Sequence, residues 1–139
     1  MNCLLIHKNP ISKLFQKGSA YIAAVLKQHG HRVTYLSIFE FEKVRIMNAI
    51  KNNGIHIVLI SVTSDTFKFV KPIVAFVRTK TGLPVVLGGI HPTLCPDECI
   101  GLEGVLGICI GEGEHAIAEF LDALEKGDDY TGIRNMWVR

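Results

Sequence analysis

The amino-acid sequence predicts an α/β protein built on one doubly wound parallel sheet of about five strands, with helices on both faces. Three observations predict it. Short apolar runs of strand length alternate along the chain with segments of helical period. Gly, Pro and Asn punctuate the places where helices stop and strands begin. The apolar runs are nearly continuous, which is the pattern of strands covered on both sides.

Asn2 to His7 is the first strand. Gly18 to His29 follows as a helix, with Ile22, Val25 and Leu26 on one face and His29-Gly30 closing it. Arg32 to Ile38 is β-branched and aromatic, hence a strand. Val44, Met47 and Ile50 space a second helix, which Asn53-Gly54 ends. Ile55 to Val62 is apolar almost throughout and is expected at the centre of the sheet. Val70, Ile73, Val74 and Val77 place a third helix. Proline fits a helix only near its first turn, so Pro72 makes Thr66 to Phe69 a lead-in. Gly82-Leu83-Pro84 breaks that helix, and Pro84 to Leu87 is the fourth strand. His91 to Gly104 holds two prolines and no period, and reads as loop with at most a short helix. Val105 to Ile110 is the fifth strand. Ile117, Phe120, Leu121 and Leu124 mark the last helix, ending at Lys126-Gly127. Trp137-Val138 is apolar and reads as cut before a continuing strand. No repeat, low-complexity tract or linker divides the 139 residues, so 1–139 is read as one domain of the flavodoxin-like (Rossmann-like) kind.

Composition excludes several classes. Hydrophobic residues make up 48% and charged residues 20%, as in a globular chain. Mean hydropathy is positive, yet the apolar stretch Ile55 to Val62 contains His56 and Ser61 and is too short to span a bilayer. The apolar start, Met1 to Ile6, has no basic residues and is no secretion signal, so a cytoplasmic protein without a membrane partner is expected. Net charge is +2 with Lys and Arg scattered, which is no footprint for nucleic acid. Cys3, Cys95, Cys99 and Cys109 lie in or beside apolar segments and read as buried thiols in a reducing compartment. Cys95-x-x-x-Cys99 has no third thiol nearby and no His pair at zinc spacing, so no metal site is expected.

In an open parallel sheet, ligands bind outside the carboxyl ends of the strands, near the point where strand order reverses. Four turns fall there. The first is His7-Lys8-Asn9-Pro10-Ile11-Ser12 and the second Ser61-Val62-Thr63-Ser64-Asp65-Thr66. The third is Gly88-Gly89-Ile90-His91-Pro92-Thr93 and the fourth Gly111-Glu112-Gly113-Glu114. Small residues let a ligand approach the backbone and expose its N–H groups. Local roles stay open for each. Ser61 and Thr63 serve equally to start a turn, Gly88-Gly89 to supply positive φ, and Glu112 and Glu114 to complement a helix dipole. His7 and His91 suit ordinary solvated or hydrogen-bonded histidines, and His29 and His31 flank a helix-ending glycine. There is no Gly-x-x-x-x-Gly-Lys-Ser/Thr loop, and no Gly-x-Gly-x-x-Gly after the first strand. No nucleophile with a base beside it can be assembled. The chain reads as a binding module rather than a catalyst.

Several ordered motifs carry a resemblance. They are Asn9-Pro10, Ala23-Ala24-Val25-Leu26-Lys27 with Gly30-His31-x-Val33, and Ile60-Ser61-Val62-Thr63. Next come Val86-Leu87-Gly88-Gly89-Ile90-His91-Pro92-Thr93 with Pro96-Asp97-Glu98. Gly111-Glu112-Gly113-Glu114 closes the series, with Phe120-Leu121 and Leu124 behind it. The arrangement resembles the N-terminal cobalamin-binding domain of radical S-adenosylmethionine enzymes. These include the anaerobic magnesium-protoporphyrin IX monomethyl ester oxidative cyclase type and methyltransferases.

The resemblance implies that cobalamin lies across the rim. It would touch Asn9, Pro10, Ser61, Val62, Thr63, Ser64, Gly88, Gly89, Ile90, His91, Pro92, Gly111, Glu112, Gly113 and Glu114. Its nucleotide tail would pass beside Ser61, Thr63 and Gly88-Gly89, and Ile11, Val62 and Ile90 would pack on the corrin. Relatives that ligate cobalt carry Asp-x-His-x-x-Gly after the first strand. Here Pro10 follows three residues after His7 and that motif is missing, so cobalamin without a protein imidazole (His-off) is implied. The resemblance also implies a C-terminal radical domain of the same polypeptide, with its iron–sulfur cluster and S-adenosylmethionine, absent from this chain. Cys95 and Cys99 have the first spacing of Cys-x-x-x-Cys-x-x-Cys, but Leu102 stands where the third cysteine belongs. The parent would be an oxidative cyclase or methyltransferase. The alternative is a cofactor-free interaction or regulatory domain of the same fold that docks a catalytic partner. A stand-alone flavin or nucleotide enzyme lacks its phosphate motif.

Overall fold

The computed structural model describes residues 1–9 and 17–139. The strands are β1 (Asn2–Lys8), β2 (Arg32–Ile38), β3 (Ile57–Ser61), β4 (Val85–Gly88), β5 (Val105–Cys109) and β6 (Met136–Val138). They form one six-stranded sheet in the order β2-β1-β3-β4-β5-β6. β1 to β5 are parallel and β6 pairs antiparallel with β5. Parallel neighbours need crossovers. These are α1 (Lys17–Gln28), α2 (Lys43–Asn53), α3 (Phe67–Thr81) and the short pair α4 (Ile90–Leu94) and α5 (Pro96–Ile100), with α6 (Glu114–Lys126) after β5. His7 lies opposite Ser61, and Ser61 opposite Gly88, so the carboxyl ends of β1, β3 and β4 are level. Strand order reverses between β1 and β3, which is where the doubly wound reading expects a crevice.

The sheet separates two cores. Leu4, Ile6, Val58, Ile60 and Leu87 pack against α2 and α3 through Ile46, Ile50, Val70, Ile73, Val74 and Val77. Cys3, Leu5, Leu59 and Val86 pack against α1 and α6 through Leu26, Ile117, Phe120 and Leu121. Alternate residues of one strand thus feed opposite cores, as a sheet buried on both faces requires. The Asn53-Gly54 stop is seen in detail. Gly54 takes a left-handed φ of 54° and its N–H bonds the Ile50 carbonyl, closing α2.

Four features differ from expectation. α3 begins at Phe67, so Thr66 to Phe69 is no lead-in and Pro72 lies within the helix. Pro72 and Lys68 are exposed, so the Lys68 carbonyl that proline cannot bond is on the side open to solvent. Phe67, 5% exposed, extends the buried stripe on the other side. The stretch after β4 holds two short helices rather than loop, with Pro96 starting α5 and Asp97 and Glu98 in its first turn. Met136–Val138 adds a sixth strand, with Trp137 opposite Ile108. Cys95 is exposed in the turn between α4 and α5, while Cys3, Cys99 and Cys109 are buried; none is paired. Burial pushes each of those three thiols up to about 11. Among the described residues, no helix is long and apolar enough to cross a membrane.

Candidate functional site

On the α1/α6 face, large side chains give out before the strands end. β3 places Leu59 and then Ser61 on that face, β4 places Val86 and then Gly88, and Cys109 ends β5 ahead of Gly111. A cavity of about 300 Å³ opens there, between the sheet and the first turns of α1 and α6. Ile22 and Ile117 line its helix side; Leu5, Leu59, Val86 and Cys109 line its sheet side. Ser61, Val62, Thr63, Gly88, Gly89 and Ile90 form one lip, and Gly111, Glu112, Gly113 and Glu114 the other. Three of the four turns singled out in the sequence therefore meet at one mouth. Pro10, Ile11 and Ser12 lie outside the described residues.

The two neighbouring glycines have different reasons. A Cβ on Gly88 would sit 3.7 Å from Cys109 Cβ, an ordinary contact, so its missing side chain leaves room. A Cβ on Gly89 would lie 2.7 Å from the Val62 carbonyl oxygen, and φ is 106°. Gly89 is required by the close passage of the β4–α4 turn against β3. Across the mouth, a Cβ on Gly113 would come within 3.1 Å of Cys109 Sγ and 3.8 Å of Ile22 Cδ1, narrowing the cleft.

The hydroxyls also divide. Thr63 Oγ1 donates to Asp65 Oδ1 at 2.6 Å, and its backbone N–H bonds Thr66 Oγ1 at 3.0 Å. These bonds build the β3–α3 turn, and the Thr63 hydroxyl holds the Asp65 carboxyl below its ordinary range. Ser19, in the first turn of α1, lines the cavity and is 4% exposed. Its Oγ has no hydrogen-bond partner among the described residues. A buried hydroxyl left without a partner costs about 1–3 kcal/mol, which makes Ser19 a candidate contact for a group entering the cavity. Sequence reasoning missed it. The available signal was a serine preceding Ile22 and Leu26 on the buried stripe of an amphipathic helix.

Four expected residues do not line the cleft, and Pro10 lies outside the described residues. Asn9 is buried, and its N–H bonds the Ile38 carbonyl at 2.9 Å, prolonging the β1–β2 ladder. Ser64, His91 and Pro92 do not line the cavity. Ile90 opens α4 facing the cleft, and a helix turns by about 100° per residue, which carries His91 and Pro92 away from it. His91 instead stacks on Phe67 with ring centroids 4.1 Å apart, and its Nδ1 lies 3.1 Å from Ser64 Oγ. His7 is 2% exposed inside β1, also outside the lining, with both ring nitrogens unpartnered among the described residues. Burial, aided by Lys8, pushes its pKa down.

The family model for the B12 binding domain matches residues 12–121, which is most of the chain. The chain belongs to the B12-binding domain family. Solved structures share the fold of this B12-binding domain. The radical S-adenosylmethionine methyltransferase TsrM from Kitasatospora setae, with cobalamin and a [4Fe-4S] cluster bound, matches at 20% identity and TM-score 0.86, covering 97% of this chain and 26% of that one. The cobalamin-dependent S-adenosylmethionine radical enzyme OxsB, with aqua-cobalamin and S-adenosylmethionine bound, matches at 14% identity and TM-score 0.81, covering 97% and 20%. A cobalamin-binding protein from Desulfitobacterium hafniense matches at 18% identity and TM-score 0.57, covering 73% and 50%. This B12-binding domain thus spans 26% and 20% of the two radical enzymes. No curated protein sequence matches it.

Proposed function

We propose that this chain is the cobalamin-binding module of a larger, cytoplasmic radical S-adenosylmethionine enzyme, taking the cofactor's nucleotide tail into the cleft. The cavity of about 300 Å³ carries the reading, because its lining includes the Ser19 hydroxyl, which has no hydrogen-bond partner among the described residues. That size suits one aromatic base with its sugar and excludes the whole corrin, which must spread over the mouth. Ile90, 57% exposed, is placed to pack beneath it. The absent side chains at Gly88 and Gly113 keep the passage open.

The positions of the histidines support cobalamin bound without a protein imidazole. His7 is enclosed in β1, His91 is turned towards α3, and residues 10–16 contain no histidine. Bound cobalamin would supply a cobalt centre able to carry a methyl group or exchange electrons. This chain's own residues would bind the tail, orient the ring and exclude water from the cleft. A C-terminal radical domain of the same polypeptide, with its cluster and S-adenosylmethionine, would choose between oxidative cyclisation and methyl transfer.

Incubation with hydroxocobalamin followed by gel filtration should leave one corrin chromophore per chain. Gly88→Leu should abolish retention while circular dichroism stays unchanged. Ser19→Ala should weaken binding about fivefold, equivalent to about 1 kcal/mol for one hydrogen bond. No retention by the wild-type chain would favour the docking domain.

A further inference from the structure

A second group of donors lies on the α3 side of the sheet, away from the cleft. His91 is 6% exposed and its ring is fixed by Phe67 and by Ser64 Oγ on Nδ1. Its Nε2 is buried without a hydrogen-bond partner among the described residues. Glu98 Oε2 lies 3.6 Å from that nitrogen, beyond hydrogen-bonding range. One ligand atom each from His91, Cys95 and Glu98 lies within 4.8 Å of the others. The local chain explains the convergence. The Cys95 N–H bonds the His91 carbonyl at 2.8 Å, bringing the thiol one turn below the imidazole, and Pro96 starts α5 so that Glu98 returns in its first turn.

We propose that His91, Cys95 and Glu98 bind a divalent transition-metal ion of the zinc class. Imidazole, thiolate and carboxylate together suit a borderline-soft ion, and three protein ligands leave a fourth position for water. Two ligands at about 2.0–2.1 Å from a tetrahedral ion stand about 3.3 Å apart, so the 3.6 Å between Nε2 and Oε2 closes with a small side-chain shift. Ser64 supplies the outer partner: Nδ1–H donates to its hydroxyl, and the Nε2 lone pair is left for the metal. Lys71 Nζ, 3.2 Å from Glu98 Oε1, holds the other carboxylate oxygen and leaves Oε2 for the ion. Binding converts the Cys95 thiol to thiolate and releases its proton to solvent. None of the three donors lines the cleft, so the site stands independently of the corrinoid reading. Ile90, beside His91, does line it, so the ion would pin α4 next to the mouth.

The test is titration of the chelator-stripped, cobalamin-free chain with Zn²⁺ against a chromophoric competitor, repeated with Co²⁺. One Zn²⁺ per chain and a thiolate-to-Co²⁺ charge-transfer band are expected. Cys95→Ser should remove the band and weaken Zn²⁺ binding at least about 100-fold, and Ser64→Ala should weaken it about tenfold. Cys95 and Glu98 are exposed, so Cys95→Ser and Glu98→Gln should keep the fold, checked by circular dichroism; Glu98→Gln should also bind about tenfold or more weakly. Absence of stoichiometric Zn²⁺ binding, or equal binding by wild type and Cys95→Ser, overturns the proposal. Retention of corrin by Cys95→Ser is read separately and bears only on the cleft.

Discussion

The two faces of the sheet are fed by the same strands but end differently at the carboxyl edge. Towards α2 and α3, β3 offers Val58 and Ile60, with Val62 just beyond its end, and β4 offers Val85 and Leu87. Phe67, Val70, Ile73, Val74 and Val77 cover them, each at most 5% exposed. Towards α1 and α6, the same strands pass from Leu59 to Ser61 and from Val86 to Gly88, and the cavity opens where the large side chains stop. Interiors otherwise pack to crystal-like density, so the cleft is a graded reduction of side-chain size along one face. One face supplies cohesion, and the other gives up some cohesion for space.

The largest effect should come from truncation on the closed face. Ile73→Ala, at a site 1% exposed, should lower unfolding free energy by about 2–5 kcal/mol. Ile22→Ala, whose side chain borders the cavity, should cost about 1 kcal/mol or less, because fewer packed neighbours are lost. Urea denaturation of both variants decides the matter, and equal losses would break the contrast between the faces.

The glycine pair gives a smaller and sharper comparison. Gly89→Ala should destabilise by about 1–3 kcal/mol through backbone strain and the Val62 carbonyl. Gly88→Ala should stay within about 1 kcal/mol of wild type, on the stabilising side, because the added methyl meets only an ordinary contact. Thermal melts of the two single variants read this directly.

The smallest effect concerns pH. Burial depresses His7, and burial with the amino terminus depresses His31 against the opposing pull of Asp122 and Glu125. Both belong to the α1/α6 half. Each binds a proton more readily unfolded than folded, so the stability they allow is complete above the unfolded value of about 6.5 and is lost as pH falls below it. His7→Leu should flatten that acid limb, seen as a smaller drop in urea midpoint between about pH 8 and about pH 5. An unchanged drop would assign the limb elsewhere.

How much of this was legible depended on how local the cause was. The alternation of apolar runs gave the strand count to within β6, and Asn53-Gly54 ended α2 because a left-handed residue is a local demand. The rim residues could be named because parallel strands put all their carboxyl ends at one edge. Pro72 misled because tolerance of a proline depends on whether the freed carbonyl faces water. The α4–α5 pair was hidden because helices this short carry no period. Within the Gly-Gly-x-His-Pro-Thr motif, the sequence could not say that Ile90 faces the cleft while His91 turns away.

Composition and order of residues by themselves determined the doubly wound class, the edge where a ligand would meet the chain and the likeness to a corrinoid-binding family, since each follows from periodicity or local motif. Only the tertiary structure decided which side chains meet. It placed Ser19 in the cavity without a partner among the described residues, separated the roles of Gly88 and Gly89, and gathered His91, Cys95 and Glu98. Those outcomes rest on distances between elements far apart in sequence and on helix rotation, quantities set by packing rather than by any one segment.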